Sequence, residues 1–135
     1  INDGSANLYL NLRQMVKLGQ LYLQDGYSGE IQILGSEWIE DATSPQIEVG
    51  NQLLWPELSD YGYLWWLNNS DFFIKSSSKG EGNLFPNAPK ETILALGAGS
   101  RFLAIVPSQE MIVIRLGDRP KDSNFINNLW KYIQN

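Results

Sequence analysis

The 135 residues suffice for one domain, and their apolar and aromatic content belongs to a folded chain rather than a disordered one. Net charge is −5 with Lys and Arg scattered, so no basic patch is present to bind a nucleic-acid backbone; nor is there a run of about eighteen apolar residues to span a bilayer. Cysteine and histidine are both absent, which excludes from this chain disulfides, thiolate nucleophiles, zinc–sulfur sites, His-ligated metals and any Ser-His-Asp or Cys-His machine.

Enzyme chemistry here must therefore use Ser, Lys, Tyr, Asp or Glu, or come from residues outside this chain. No signal peptide is visible, and the sequence opens on Ile1 rather than Met, as a mature, truncated or excised chain does.

Ile1–Leu10 reads as a loop. Asn11 is placed to cap a helix, with Gln14 in capping-box position. From Leu12 to Gln24 the apolar residues Leu12, Met15, Val16, Leu18, Leu21, Tyr22 and Leu23 form a broad helical stripe, with Gly19 on that face. Asp25-Gly26 ends the helix, Gly26 being suited to the left-handed C′ position. Tyr27–Gly35 is a connector with a short apolar piece at Ile31–Leu34. Ser36 caps a short helix, Glu37–Ala42, and Thr43-Ser44-Pro45 stops it. Gln46–Asp60 reads as irregular, with Trp55-Pro56 inside it.

Tyr61–Leu67 is aromatic-rich and reads as a strand, on which the adjacent Trp65 and Trp66 face opposite sides. One belongs to the core; the other lies under a helix or lines a cleft. Asn68–Asp71 is a turn, Phe72–Lys75 a short strand, and Lys75–Pro89 a loop.

Thr92–Asp118 is the centre of the sequence. Arg101–Val106 and Met111–Leu116 are rich in Ile, Val, Leu and Phe, with Pro107-Ser108-Gln109-Glu110 between them, the pattern of a hairpin. Each run is apolar at nearly every position, which predicts strands covered by helices on both faces. Gly97-Ala98-Gly99-Ser100 interrupts the apolar run ahead of them, the mark of a bulge or of a close approach to the backbone. Gly117–Asp122 turns the chain, and Ser123 or Asn124 opens a last helix, Phe125–Gln134, with Phe125, Leu129, Trp130 and Ile133 on one face. The order predicts an α+β fold, an antiparallel sheet flanked by helices. So apolar a sheet is not expected to leave an edge bare, which points to completion by a further segment or a second subunit.

Four stretches resemble one family. DGSANLYLNLRQMVKLGQLYLQDG (Asp3–Gly26), ILGSEWIEDATSP (Ile33–Pro45), YGYLWW (Tyr61–Trp66) and ALGAGSRFLAIVPSQEMIVIRLGD (Ala95–Asp118) resemble, in order, blocks of the serine β-lactamase-related hydrolases. That family includes class C β-lactamases, penicillin-binding proteins, esterases and 6-aminohexanoate-oligomer hydrolases. The resemblance implies that residues 1–135 form a single domain, the C-terminal portion of a β-lactamase/transpeptidase-like fold. It implies cleavage of an ester or amide through an acyl-enzyme, with the nucleophile of a Ser-x-x-Lys motif and the Tyr of a Tyr-x-Asn or Tyr-x-Ser motif upstream of these blocks. The isolated chain is then expected to be inactive.

The family's third motif, Lys-Thr-Gly or His-x-Gly, falls on Ala95-Leu96-Gly97. Ala95 replaces the basic or imidazole residue, which points away from β-lactam carboxylates and towards another ester or amide. The resemblance implies a backbone oxyanion donor at Ala98, and Ala95, Leu96, Gly97 and Gly99 as the strand and turn against which substrate lies. Small residues there let substrate approach the backbone; alternatively, the glycines only relieve crowding at a bulge. No cofactor or metal is implied. Partners are a small ester, amide or peptide substrate and the missing N-terminal segment or second subunit, with no nucleic acid and no membrane span. Family habit implies a periplasmic or secreted setting.

Ser76-Ser77-Ser78-Lys79 and Tyr9-Leu10-Asn11 match the family's short motifs but stand in reversed order and lack the context that activates a nucleophile, so they are read as chance. Asn68-Asn69-Ser70 is a glycosylation sequon without a supporting context. Glu37, Glu40 and Asp41 read as a solvated helix face. Arg101 and Arg115 read as sheet-end charges with a possible substrate-anion role. The other reading of the chain is a non-enzymatic module that uses exposed aromatics to hold a carbohydrate or peptide.

Overall fold

The computed structural model describes residues 9–46, 57–58, 60–70, 72–75 and 78–134, with the side chains of 57–58, 72–75 and 78–80 left aside. The fold is α+β: three helices with antiparallel sheets. The elements are α1 (Leu12–Leu23), β1 (Tyr27–Ser28), β2 (Ile31–Gln32), α2 (Ser36–Ala42), β3 (Glu57–Leu58), β4 (Trp66–Leu67), β5 (Phe72–Lys75), β6 (Ser78–Glu81), β7 (Ile93–Gly97), β8 (Arg101–Val106), β9 (Met111–Arg115) and α3 (Phe125–Ile133).

The principal sheet has the order β4-β7-β8-β9, antiparallel throughout. Strand alternation divides its side chains between two cores. Ile93, Leu103 and Ile105 pack with Trp65, Leu67 and Ala42 on one face, where α1 covers them with Met15, Leu18, Tyr22 and Leu23. Leu94, Phe102, Ala104 and Val106 pack on the other face beneath Trp130, Ile126, Leu129 and Ile133 of α3. Two-sided cover is therefore what the near-continuous apolar runs encode. Fixing the five backbones of Phe102–Val106 costs roughly 5–10 kcal/mol. Burial of their large side chains returns about 1.5–3 kcal/mol each. With one face bare, that return would halve and the strand would not hold.

The hairpin has the expected loop: Pro107–Gln109 makes one tight turn and Glu110 takes a left-handed φ of 48°. At α1 the capping box forms as its spacing predicts: Asn11 Oδ1 accepts from the Gln14 N–H at 3.0 Å and Gln14 Oε1 accepts from the Asn11 N–H at 2.9 Å. Gly19 is buried where α1 packs closely on β9, since a Cβ there would stand 3.0 Å from the Ile112 side chain. The helix closes one residue before the position expected. Asp25, with φ of 51°, takes the left-handed C′ place, while Gly26 donates to Leu21 O at 2.8 Å in a Schellman arrangement. Gly26 is required for another reason: a Cβ would lie 2.0 Å from Leu34 O.

Several local expectations are corrected. Ser36 is the first residue of α2 rather than its cap; Gly35 stands at the cap and no side chain bonds there. Tyr27–Gly35 holds a small hairpin, β1–β2. Tyr61–Leu67 is not one strand. Only Trp66–Leu67 joins the ladder, and the chain before it folds back so that Tyr61 bridges Trp66, with Leu64 at a φ of 67°. Lys75–Pro89 is not wholly loop, since β6 pairs with β5, and β3 adds a third strand to that sheet. Trp55 and most of Gln46–Asp60 lie outside the described residues, as do residues 1–8 of the expected N-terminal loop.

Trp65 and Trp66 do take opposite faces. Trp65 is buried, edge-on to Tyr22 with ring centres 4.6 Å apart; half-buried Trp66 meets Tyr61 at 4.6 Å and packs with the α3-side core. No helix among the described residues is long and apolar enough to cross a membrane.

Candidate functional site

Gly97–Ser100 is the turn that joins β7 to β8, closed by the Gly97–Arg101 pair, rather than a bulge within a strand. Two successive residues there are left-handed, Gly99 at φ 73° and Ser100 at φ 58°, which turns the chain back within three residues. The turn is braced by arginine. Arg101 Nη1 donates to Ala98 O at 3.3 Å, and Arg115 Nη1 donates to Gly99 O at 3.2 Å and Ser100 O at 3.1 Å. Arg115 Nη2 bonds Asp118 O, and its guanidinium lies 5.0 Å from the centre of the Phe125 ring. Arg101 and Arg115 thus sit at the sheet end as expected, and their donors hold the turn's carbonyls.

An open cleft of about 460 Å³ separates this turn from the segment that leads into α3. Leu96, Gly97, Ala98, Gly99 and Ser100 line it on the side of the turn, and residues 119–124 with Ile126 and Asn127 on the side of α3; Phe85 also lines it. Four of the five residues singled out in the sequence therefore meet at one cavity. Ala95 does not line it. By strand alternation its side chain packs with the α1-side core, so only its backbone is available at the strand edge. β4 pairs only with Ile93 and Leu94, so Ala95–Gly97 has a ladder partner on the β8 side alone among the described residues. Among the described residues β9 is likewise bonded on one side only, against β8.

The far wall of the cleft is built from parts that are dispersed in sequence. Asn68 is fully buried, and its side chain clamps the 85–89 loop: Nδ2 donates to Phe85 O and Pro89 O, each at 3.1 Å, and Oδ1 accepts from the Phe85 N–H at 2.8 Å. Asn127 fastens the same loop to α3, since its Oδ1 accepts from the Asn87 N–H at 2.9 Å and its carbonyl from Asn87 Nδ2 at 3.1 Å. The sequon asparagine is thus a structural centre with no room for a glycan. No sequence signal distinguished Asn68 from an ordinary turn residue, because its partners lie seventeen or more positions away.

Ser100 and Ser123 are the hydroxyls at the cleft, and neither bonds a Lys, Asp or Glu among the described residues, so neither has an activating base. Burial pushes the Tyr61 phenol up, opposite to the direction a phenolate base requires. Tyr9 is exposed and Asn11 is occupied as a helix cap, which accounts for that motif match; Ser76 lies outside the described residues.

Asp122 is held below the usual carboxylate range, first by the Asn128 side-chain amide and then by the Asn124 N–H, bonded at 2.9 Å and 2.8 Å. Its folded-state pKa is depressed, so what it contributes to stability is present above the ordinary value of 3.8 and is lost as pH falls through the depressed value. In a carboxyl-detected NMR titration Asp122 is expected to have its midpoint below 3.8, and Asn128→Ala is expected to move that midpoint up. No protein-family model matches this chain, and no curated protein matches it either.

Proposed function

We propose that this chain is the C-terminal portion of a serine hydrolase related to the β-lactamases, which cleaves an ester or amide through an acyl-enzyme. In this reading the nucleophilic Ser and its base come from a segment outside these residues. The chain supplies the helix-covered sheet, the strand along which substrate lies and the Ala98 N–H as an oxyanion donor. The observation that carries the reading is the Ala95–Gly97 edge of β7, which has no ladder partner on its outer side among the described residues and ends at the cleft-lining turn. An acyl group there meets backbone and small side chains, which tolerate close approach. That β9 has a ladder partner on one side alone among the described residues supports the same reading, since an apolar strand in that position calls for a neighbour from the upstream segment or a second subunit. The coding sequence upstream of Ile1 tests the proposal. It is expected to encode a Ser-x-x-Lys at a helix start followed by Tyr-x-Asn or Tyr-x-Ser; an upstream sequence without that pair overturns the hydrolase reading.

The second reading, a module that holds a carbohydrate or peptide on aromatics, has its own observation. Trp38 and Tyr63 are partly exposed with ring centres 5.2 Å apart and planes inclined by 34°, beside the exposed Leu64. If that pair is a binding platform, Trp38→Ala abolishes saturable fluorescence changes with oligosaccharide; a wild-type chain that shows no such change removes this alternative.

A further inference from the structure

Ser100 is not a glycine, yet it stands at a φ of 58° directly after Gly99 at 73°. Residues with a side chain avoid that region, so the conformation persists only where its surroundings over-determine it. Arg115 supplies most of that determination. Its Nη1 donates to the carbonyls of both left-handed residues, at 3.2 Å to Gly99 O and 3.1 Å to Ser100 O, and its Nη2 donates to Asp118 O. The same guanidinium lies over the ring of Phe125, the first residue of α3. Arg115 is half-buried, whereas the exposed Arg101 adds a single bond, to Ala98 O at 3.3 Å. One rigid, planar fork thus ties together the turn, the segment after β9 and the start of α3.

A trans peptide is planar, with its N–H and C=O opposed, so anchoring a carbonyl sets the direction of the amide in the same plane. The bonds to Ala98 O, Gly99 O and Ser100 O fix the three peptide planes that follow Ala98, and the Gly97–Arg101 pair fixes the chain on its other side. Without Arg115, Ser100 is free to relax to a negative φ, and the turn that carries the Ala98 N–H relaxes with it. We propose that Arg115 is a positioning residue: through the carbonyls of Gly99 and Ser100 it holds the Ala98 N–H on the line of a developing oxyanion. This role rests on the hydrolase reading with Ala98 as donor. It is one of geometry rather than of charge, because Arg115 faces the turn's carbonyls and does not line the cleft. Lysine at this position keeps the charge and loses the planar fork, which separates the two.

Steady-state hydrolysis of p-nitrophenyl acetate by the full-length gene product tests this, with the rate of labelling by a serine-directed acylating probe in place of kcat if the ester is not turned over. Arg115→Lys is expected to lower kcat by about tenfold to a hundredfold with KM little changed, since a misplaced donor acts on the transition state alone. In Arg115→Ala, guanidinium chloride at millimolar concentration is expected to restore part of the lost rate, and sodium chloride at the same ionic strength to restore none; a collapsed fold would not be rescued in this way. An Arg115→Lys enzyme with the wild-type kcat, a loss confined to KM, or an Arg115→Ala enzyme that guanidinium leaves unchanged overturns the positioning role while the hydrolase reading stands. A wild-type product inert towards both the ester and the probe overturns the hydrolase reading, and the positioning role falls with it.

Discussion

Asn68→Leu is expected to destabilise the chain by about 1–3 kcal/mol, although leucine shares asparagine's branched skeleton and is the more hydrophobic residue. Asn68 satisfies the Phe85 N–H and the carbonyls of Phe85 and Pro89 while itself wholly buried. Leucine makes none of these bonds, but Phe85 O still accepts from the Ala88 N–H and Pro89 O from the Thr92 N–H and hydroxyl, so the Phe85 N–H is the group left unpaired. The orphaned N–H costs roughly 1–3 kcal/mol, and fitting the bulkier leucine methyls into a wholly buried site costs about 1–3 kcal/mol more, against a gain of about 1.5–3 kcal/mol from burying leucine. Backbone amides of residues 85–89 should also lose hydrogen-exchange protection, as the loop is released from one of its two clamps. Asn127 then holds it alone through Asn87. Urea unfolding monitored by tryptophan fluorescence gives the free energy. A loss below about 1 kcal/mol would mean that water takes over from the amide and that the clamp is dispensable.

Gly62→Ala destabilises the chain by a different route. A Cβ at this position would stand 2.1 Å from Ala42 O, 2.9 Å from Ala42 C and 3.0 Å from Ser44 O, all backbone atoms that no rotamer change can move. The turn must lift away from the end of α2, and the Tyr63 N–H bond to Ala42 O at 3.0 Å is lost with it. Two consequences follow from one methyl group: overpacking against backbone, and an orphaned carbonyl at a fully buried Ala42. The expected loss is about 3–4 kcal/mol, or roughly 10 °C in Tm for a chain of this length. Gly35→Ala is a useful comparison, since a Cβ there meets nothing within 4 Å. A thermal melt in which Gly62→Ala behaves like Gly35→Ala would show that the turn does not sit against α2 in solution.

Both positions also show where the sequence stops being informative. Regular periodicity and local capping were legible. The Asn11–Gln14 spacing specifies its capping box, and unbroken apolar runs in β8 and β9 specify a sheet covered twice, because a single-faced strand has no use for the second set of apolar residues. Tyr61–Leu67 was misleading for a physical reason. Aromatic residues favour strands by fitting a half-buried pleated surface, and a turn that packs its rings against a helix and a second ring offers the same burial. Gly62 within that run was the available signal, since a glycine among bulky neighbours marks close backbone approach. β6 escaped because Ser, Lys, Gly and Glu carry no alternation.

The candidate site was legible in part. The small residues of Leu96–Gly99 marked one wall of the cleft. The opposite wall, from Arg119 to Asn127, was not legible. It becomes a wall only when α3 returns across the sheet and the Asn68 and Asn127 clamps fix the 85–89 loop. Such juxtapositions are tertiary facts, and single-sequence patterns carry almost no information about them. The same holds for Arg115, whose position at the sheet end was foreseeable but whose donors are fixed by carbonyls that only the left-handed turn presents.

In the proposed function a serine outside these residues is acylated over the β7 edge. Intact-mass analysis of the full-length gene product, after incubation with a serine-directed acylating reagent, measures this directly. The expected result is one adduct per chain, mapped by peptide sequencing to the Ser of an upstream Ser-x-x-Lys, and formed more slowly in Gly97→Val. A full-length product that takes up no adduct while an established serine hydrolase beside it is fully labelled would contradict the account.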